Sequence, residues 1–156
     1  MKTIPVLILL TISSILFFSC KKNSVSSASN QWTINGLTYT GESTVFDSYA
    51  GGGLWSVDTA FVGFTDYVNV AFSDSFTIHP VSGIYNVVTF STTTPLANNQ
   101  CMVTVSVGGQ LTYSLAGGTV NTTVTGTKIA ASFSNISVSA NGLVSNGTVS
   151  GRLLSR

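Results

Sequence analysis

Residues able to do chemistry are few in this chain, and their spacing excludes more than it offers. His79 is the only histidine, and there is no His-x-x-His or Cys-x-x-Cys pair, so a metal site would have to be assembled from carboxylates or thiolates. All five acids, Glu42, Asp47, Asp58, Asp66 and Asp74, fall between positions 42 and 74. Converging carboxylates could hydrolyse glycosides or hold calcium. These acids instead fall in separate turns and strand ends, and none forms the alternating acidic loop of a calcium hand. Neither a Gly-x-Ser-x-Gly elbow nor a phosphate-cradling Gly-Lys-Ser/Thr occurs. Gly51-Gly52-Gly53 and Gly117-Gly118 precede no helical pattern and read as loops. The expectation is therefore no catalytic residue, no metal and no cofactor. A small hydrolase using Asp58, Asp66 or His79 is the catalytic alternative.

The aromatic residues leave a different chemistry open. Tyr49 and Trp55 flank the glycine run, with Phe46 and Tyr67 nearby. Their faces could stack on sugar rings while Asp47 or Asp58 accepts hydroxyl hydrogen bonds. The competing expectation is that Trp55 and Tyr67 fill the core, because aromatic side chains carry large buried area. His79 follows Phe76 and Ile78 with opposite parity, which places it on a wet face.

The two cysteines have different prospects. Cys101 shares parity with Val103, Val105 and Val107, and a buried thiol behaves as a small hydrophobe. Cys20 ends a segment of another kind: Met1-Lys2, an apolar run from Ile4 to Phe18, then Ser19-Cys20-Lys21-Lys22. A basic start, a short apolar run and a small residue before a cysteine form a lipoprotein export signal over 1–19, with acylation of Cys20. Phe17 stands where such signals usually carry leucine. Ser26 and Ala28 would instead allow ordinary cleavage after Ala28 and release a soluble protein. A spanning anchor needs roughly 20 apolar residues, more than this run supplies. Acyl chains on Cys20 would hold the protein on its membrane.

The elements that must position these residues follow. Residues 20–30 are polar and aperiodic and form a flexible tether from the lipid. Residues 31–156 have no composition break and read as one β-rich domain. Only 7% of the chain is charged, so the basic field that nucleic acid requires is missing. Trp32-Thr33-Ile34, Asn35-Gly36 and Leu37-Thr38-Tyr39 predict a two-residue type I′ hairpin with Trp32, Ile34, Leu37 and Tyr39 on one face. Period-two alternation recurs in Cys101 to Val107, in Leu111, Tyr113 and Leu115 after Gly108-Gly109, and in Ile129, Ala131 and Phe133. The inward parity then switches to Ile136, Val138 and Ala140, which requires a β-bulge near Ser134-Asn135. A turn near Thr65-Asp66 separates Phe61 from Val68, Val70 and Phe72. Asn141-Gly142 and Asn146-Gly147 compete for the last reversal before a closing strand from Thr148 to Leu154. Roughly nine or ten strands predict an all-β antiparallel sandwich, with a closed or partly open barrel as the alternative.

The SCKK cleavage region, the polar tether, the WTINGLTY hairpin and the closing GTKIAASFSNISVS and GTVSGRL segments resemble small envelope lipoproteins of Bacteroidota. The resemblance implies a β-sandwich domain and an envelope location. Surface-displayed members of that group often carry acids just after the lipidated cysteine, whereas Lys21 to Ser24 has none. This implies an outer-membrane anchor with the domain in the periplasm, with the cell surface or secretion as alternatives. Asp58-Thr59-Ala60 matches the short pattern those bacteria use for O-glycosylation, which would fall on Thr59. The implied function is a non-enzymatic module binding an envelope protein or a polymer such as a glycan. A structural or adhesive component is the alternative, and a carbohydrate-binding protein or small hydrolase is the second.

Overall fold

A computed structural model describes residues 30–46, 53–58, 65–73, 80–89, 91, 95–140 and 146–155, with 44–46 and 53–58 described by their strand pairing. Ten strands are described: β1 (Asn30–Ile34), β2 (Leu37–Phe46), β3 (Gly53–Asp58), β4 (Tyr67–Phe72), β5 (Gly83–Val87), β6 (Gln100–Val107), β7 (Gln110–Ser114), β8 (Thr119–Thr125), β9 (Lys128–Ser139) and β10 (Gly147–Leu154). The all-β class is observed, and no helix occurs among the described residues.

All ten strands join one sheet that returns on itself, so the barrel alternative describes the pairing. The chain of neighbours runs β10, β1, β2, β3, β4, β6, and the space between β6 and β9 is bridged in two ways. At one end β7 alone links them, through Thr104–Val107 of β6 and Val138–Ser139 of β9. At the other end β5 and β8 together make the link, β5 running parallel to β6 at Asn86 and Val87 and β8 antiparallel to β9. The remaining pairs are antiparallel. Closing a sheet in this way removes long open edges.

The first hairpin forms as its sequence dictates. Asn35 and Gly36 take φ of 50° and 81°, the positive angles a type I′ turn needs, and Trp32 pairs with Tyr39 and Ile34 with Leu37. Trp32 is fully buried and stacks on Tyr39 with ring centroids 4.2 Å apart. Leu37 departs from expectation, being 62% exposed. Its strand has β1 on one side, and pairing with β3 starts only at Gly41, so among the described residues no second strand flanks the β2 start.

The core is a band of inward side chains at alternate positions. Val68, Val70 and Phe72 of β4 and Cys101, Val103 and Val105 of β6 meet Val120, Ile136, Val138, Val149 and Leu153 from the other strands. Phe72 and Tyr85 add an edge-to-face pair with centroids 4.8 Å apart. The Tyr85 hydroxyl donates to the Val81 carbonyl at 3.1 Å and accepts from the Val81 amide at 2.9 Å, so its polar end is satisfied.

The bulge lies where the parity switch requires it. Phe133 pairs with Gly151 and Ile136 with Val149, so β9 carries one extra residue. Asn135 absorbs it at φ 53°, and its amide donates to Ser150 Oγ at 2.8 Å. The bend at Thr65-Asp66 is present, whereas Phe61 lies outside the described residues. Of the two late Asn-Gly pairs, Asn146-Gly147 sits at the entry to β10. There Asn146 donates its amide to the Val138 carbonyl, and its side-chain oxygen accepts from the Ala140 amide, each at 2.8 Å. Asn141-Gly142 lies outside the described residues.

The inward assignment of Leu111, Tyr113 and Leu115 is overturned. Gly108 and Gly109, at φ 55° and 78°, form a two-residue turn that pairs Val107 with Gln110 and Val105 with Thr112. A two-residue hairpin pairs odd positions with even ones, so the inward residues of β7 are Thr112 and Ser114. Ser114 is fully buried, while Leu111 is 41% exposed.

Candidate functional site

The split side of the barrel explains both its interior and its exterior. Inside, Ser114 sits where β7 leaves β6 and replaces a missing strand neighbour. Its hydroxyl accepts from the Val103 amide at 3.1 Å and donates to the Val88 carbonyl at 2.8 Å. Thr89 Oγ1 accepts from the Ala116 amide at 3.0 Å, and Val87 exchanges backbone bonds with Gly117 and Gly118. Backbone groups freed by the split are thus satisfied by hydroxyls and a glycine turn.

Outside, the parity that points Ser114 inward turns Tyr113 outward. The register aligns one row across five strands: Thr44 with Trp55, Trp55 with Asn69, Asn69 with Thr104, and Thr104 with Tyr113. A second row beside it runs from Glu42 through Val57, Tyr67 and Ser106 to Leu111. Asn69, Thr104, Tyr67 and Tyr113 are each half-buried, alternating with fully buried valines of the core band. From β3 to β7 is three strand separations, about 14 Å, long enough to lie under more than one sugar ring.

Tyr67 therefore does not fill the core, as the sequence had it; Val68, Val70 and Phe72 do, and Tyr67 lies on the other side of the strand. Burial and then the neighbouring Tyr113 phenol push the Tyr67 phenol above its ordinary value, so Tyr67 remains a neutral hydrogen-bonding group at physiological pH. Trp55 is placed by its pairing with Thr44 and Asn69.

The other sequence candidates separate. Asp58 pairs with Gly41 at the end of β3, away from Trp55 by three residues along the strand. Cys20, Phe46 beyond its strand pairing, Asp47, Tyr49, Thr59, Asp74 and His79 lie outside the described side chains. Asp66 is engaged structurally: its Oδ1 accepts from the Gly108 amide at 2.6 Å, while Ser106 Oγ donates to the Thr65 carbonyl at 2.7 Å. Its carboxylate fastens the bend to the β6–β7 turn. Cys101 is fully buried, as its parity predicts, and burial pushes its thiol up to about 12. Among the described residues no three histidine, cysteine or acidic side chains group as a metal site requires. No described helix is long and apolar enough to cross a membrane.

Sequence reasoning missed Asn69, Thr104 and Tyr113. The signal was present in Gly108-Gly109, because the parity rule used for the Asn35-Gly36 hairpin applies there unchanged.

Comparison with protein-family models, with characterised proteins and with solved structures returned no match.

Proposed function

We propose that this chain is a lipid-anchored envelope protein whose β domain is a non-enzymatic binding module, and that the outer face of β3, β4, β6 and β7 contacts the polymer it binds. The observation that carries this reading is the alignment of Tyr67 and Tyr113 with Asn69 and Thr104 on a closed sheet. Two phenol rings beside an amide and a hydroxyl offer flat stacking surfaces and hydrogen-bonding groups at fixed spacing. Trp55 occupies the neighbouring register position of the same row. Among described residues the rows hold one acid, Glu42, and no cation, which fits a neutral glycan.

The envelope location rests on Met1 to Lys22, with Cys20 as the acylated residue and the outer membrane as the expected site. The adhesive reading needs an open strand edge, and each of the ten strands is paired along part of both sides. The hydrolase reading loses Asp66 to its turn.

The test is binding of neutral oligosaccharides, namely gluco-, xylo- and manno-oligomers, to the full-length chain in mild detergent, followed by fluorescence. A saturable change that Tyr113→Ala and Tyr67→Ala each weaken about tenfold, with the β-sheet circular dichroism of each variant retained, supports the reading. No response across the panel, or a response that both variants retain, contradicts it.

A further inference from the structure

Two Asn-Gly pairs, 111 residues apart in the chain, meet at the seam between the first hairpin and the closing strand. The Asn35 main-chain amide donates to the Thr148 carbonyl, and Asn35 Oδ1 accepts from the Thr148 amide, each at 3.3 Å. This is the two-bond exchange of an antiparallel ladder, with a side-chain carbonyl standing in for a main-chain one beyond the end of β1. Asn35 Nδ2 donates to the Asn146 carbonyl at 3.5 Å. Gly147 makes the room: a Cβ there would collide with Asn35 Oδ1 and stand 2.7 Å from its Cγ and Nδ2. The Asn35 carboxamide is therefore a clip seated on β10.

The clip is built to open. All three of its bonds are long and hence weak, and Asn35, Gly36 and Asn146 are exposed to water. Once released, the carboxamide has a nucleophile beside it. The Gly36 amide holds the turn position that makes no ladder bond, and glycine puts no side chain in the way.

We propose that Asn35 is a site of spontaneous deamidation, gated by the clip and acting as a one-way latch on the seam. With the clip open, the Gly36 nitrogen attacks Asn35 Cγ. The N–Cγ bond forms, the Cγ–Nδ2 bond breaks, and Nδ2 leaves as ammonia with the proton from Gly36. Water then opens the cyclic imide, at Cγ to give aspartate or at the main-chain carbonyl to give isoaspartate, and nothing is oxidised or reduced. Neither product rebuilds the clip. Aspartate sets a carboxylate oxygen against the Asn146 carbonyl where a donor stood, and isoaspartate lengthens the main chain by one carbon and breaks the Ile34–Leu37 register.

Peptide mass mapping of the full-length chain in mild detergent tests this, after incubation at mildly alkaline pH in heavy-oxygen water with and without urea. Labelled acid at position 35 should form in the folded chain, at least about tenfold more slowly than in urea, because the clip must open first. Gly147→Ala should bring the folded rate at Asn35 close to the urea rate while the Val103 amide keeps its protection, since the added methyl evicts the carboxamide. The deamidated wild-type form, separated by its extra negative charge, should exchange the Thr148 amide hydrogen faster with Val103 unchanged, and this reading needs no variant to fold. Equal rates at Asn35 in the two solvents, no labelled acid there in the folded chain, a rate unmoved by Gly147→Ala, or a deamidated form whose Thr148 amide exchanges as before overturns the proposal.

Discussion

From β9 through β10 and β1 to β2 the barrel wall is built of strands in continuous register, broken once by the Asn135 bulge. Between β6 and β9 the same wall is assembled from three short strands and sealed by Ser114, Thr89 and the Gly117-Gly118 turn. Both regions feed one apolar core, Trp32, Ile136, Val138, Val149 and Leu153 from the continuous wall and Tyr85, Val87 and Val120 from the split, yet the exteriors differ: Arg152 and Lys128 stand on the continuous wall, and Tyr113 on the split with Tyr67 close by. Closure by strand pairing alone leaves the outer face free to vary. Closure by side chains commits particular hydroxyls to the backbone and fixes which neighbours face outward.

The largest effect should come from the continuous wall. Trp32→Ala removes a fully buried ring stacked on Tyr39 and should cost about 3–5 kcal/mol in denaturant unfolding. A loss below about 1 kcal/mol would mean the hairpin is not part of the core.

Alkaline pH probes the band shared by both regions. The native state holds the Cys101 thiol neutral up to about 12, while the unfolded chain ionises near 9. Stability from this group is thus complete below pH 9 and is lost as pH rises from there towards 12, at up to about 1.4 kcal/mol per unit. Unfolding measured across that window should show the slope, and Cys101→Ala should flatten it.

At the split, Ser114→Ala leaves the Val103 amide and Val88 carbonyl without their shared partner and should cost about 1–3 kcal/mol. Hydrogen exchange should accelerate first at Val103, whereas amides of β10 keep their protection. Uniform acceleration would mean that the two regions do not differ in the way described.

The smallest effect belongs to Ser43. Its buried hydroxyl has no hydrogen-bond partner among the described residues. Ser43→Ala should therefore be neutral or stabilising by up to about 1 kcal/mol, and a clear loss of stability would reveal a partner for that oxygen.

How much was legible in the sequence follows the same division. Alternation with one wet face disclosed the Asn35-Gly36 hairpin, the inward Cys101 and the bulge after Phe133, because each depends on local backbone geometry and period. The parallel β5–β6 contact and the bonds of Ser114 were not legible, since they join residues distant in the chain through a hydroxyl that looks like any other serine. Tyr113 was misplaced inward although its hairpin arithmetic was available. Tyr67 was misplaced because ring size argued for burial while parity with Val68 and Val70 argued against it.

The measurement that tests the central claim most directly is amide chemical-shift mapping of the full-length chain in detergent micelles, titrated with a neutral oligosaccharide that binds. The account predicts perturbations concentrated at Tyr67 to Asn69, Thr104 and Leu111 to Tyr113, with β9 and β10 unmoved. Perturbations centred on β10 and β1, or spread through the valine band, would contradict it.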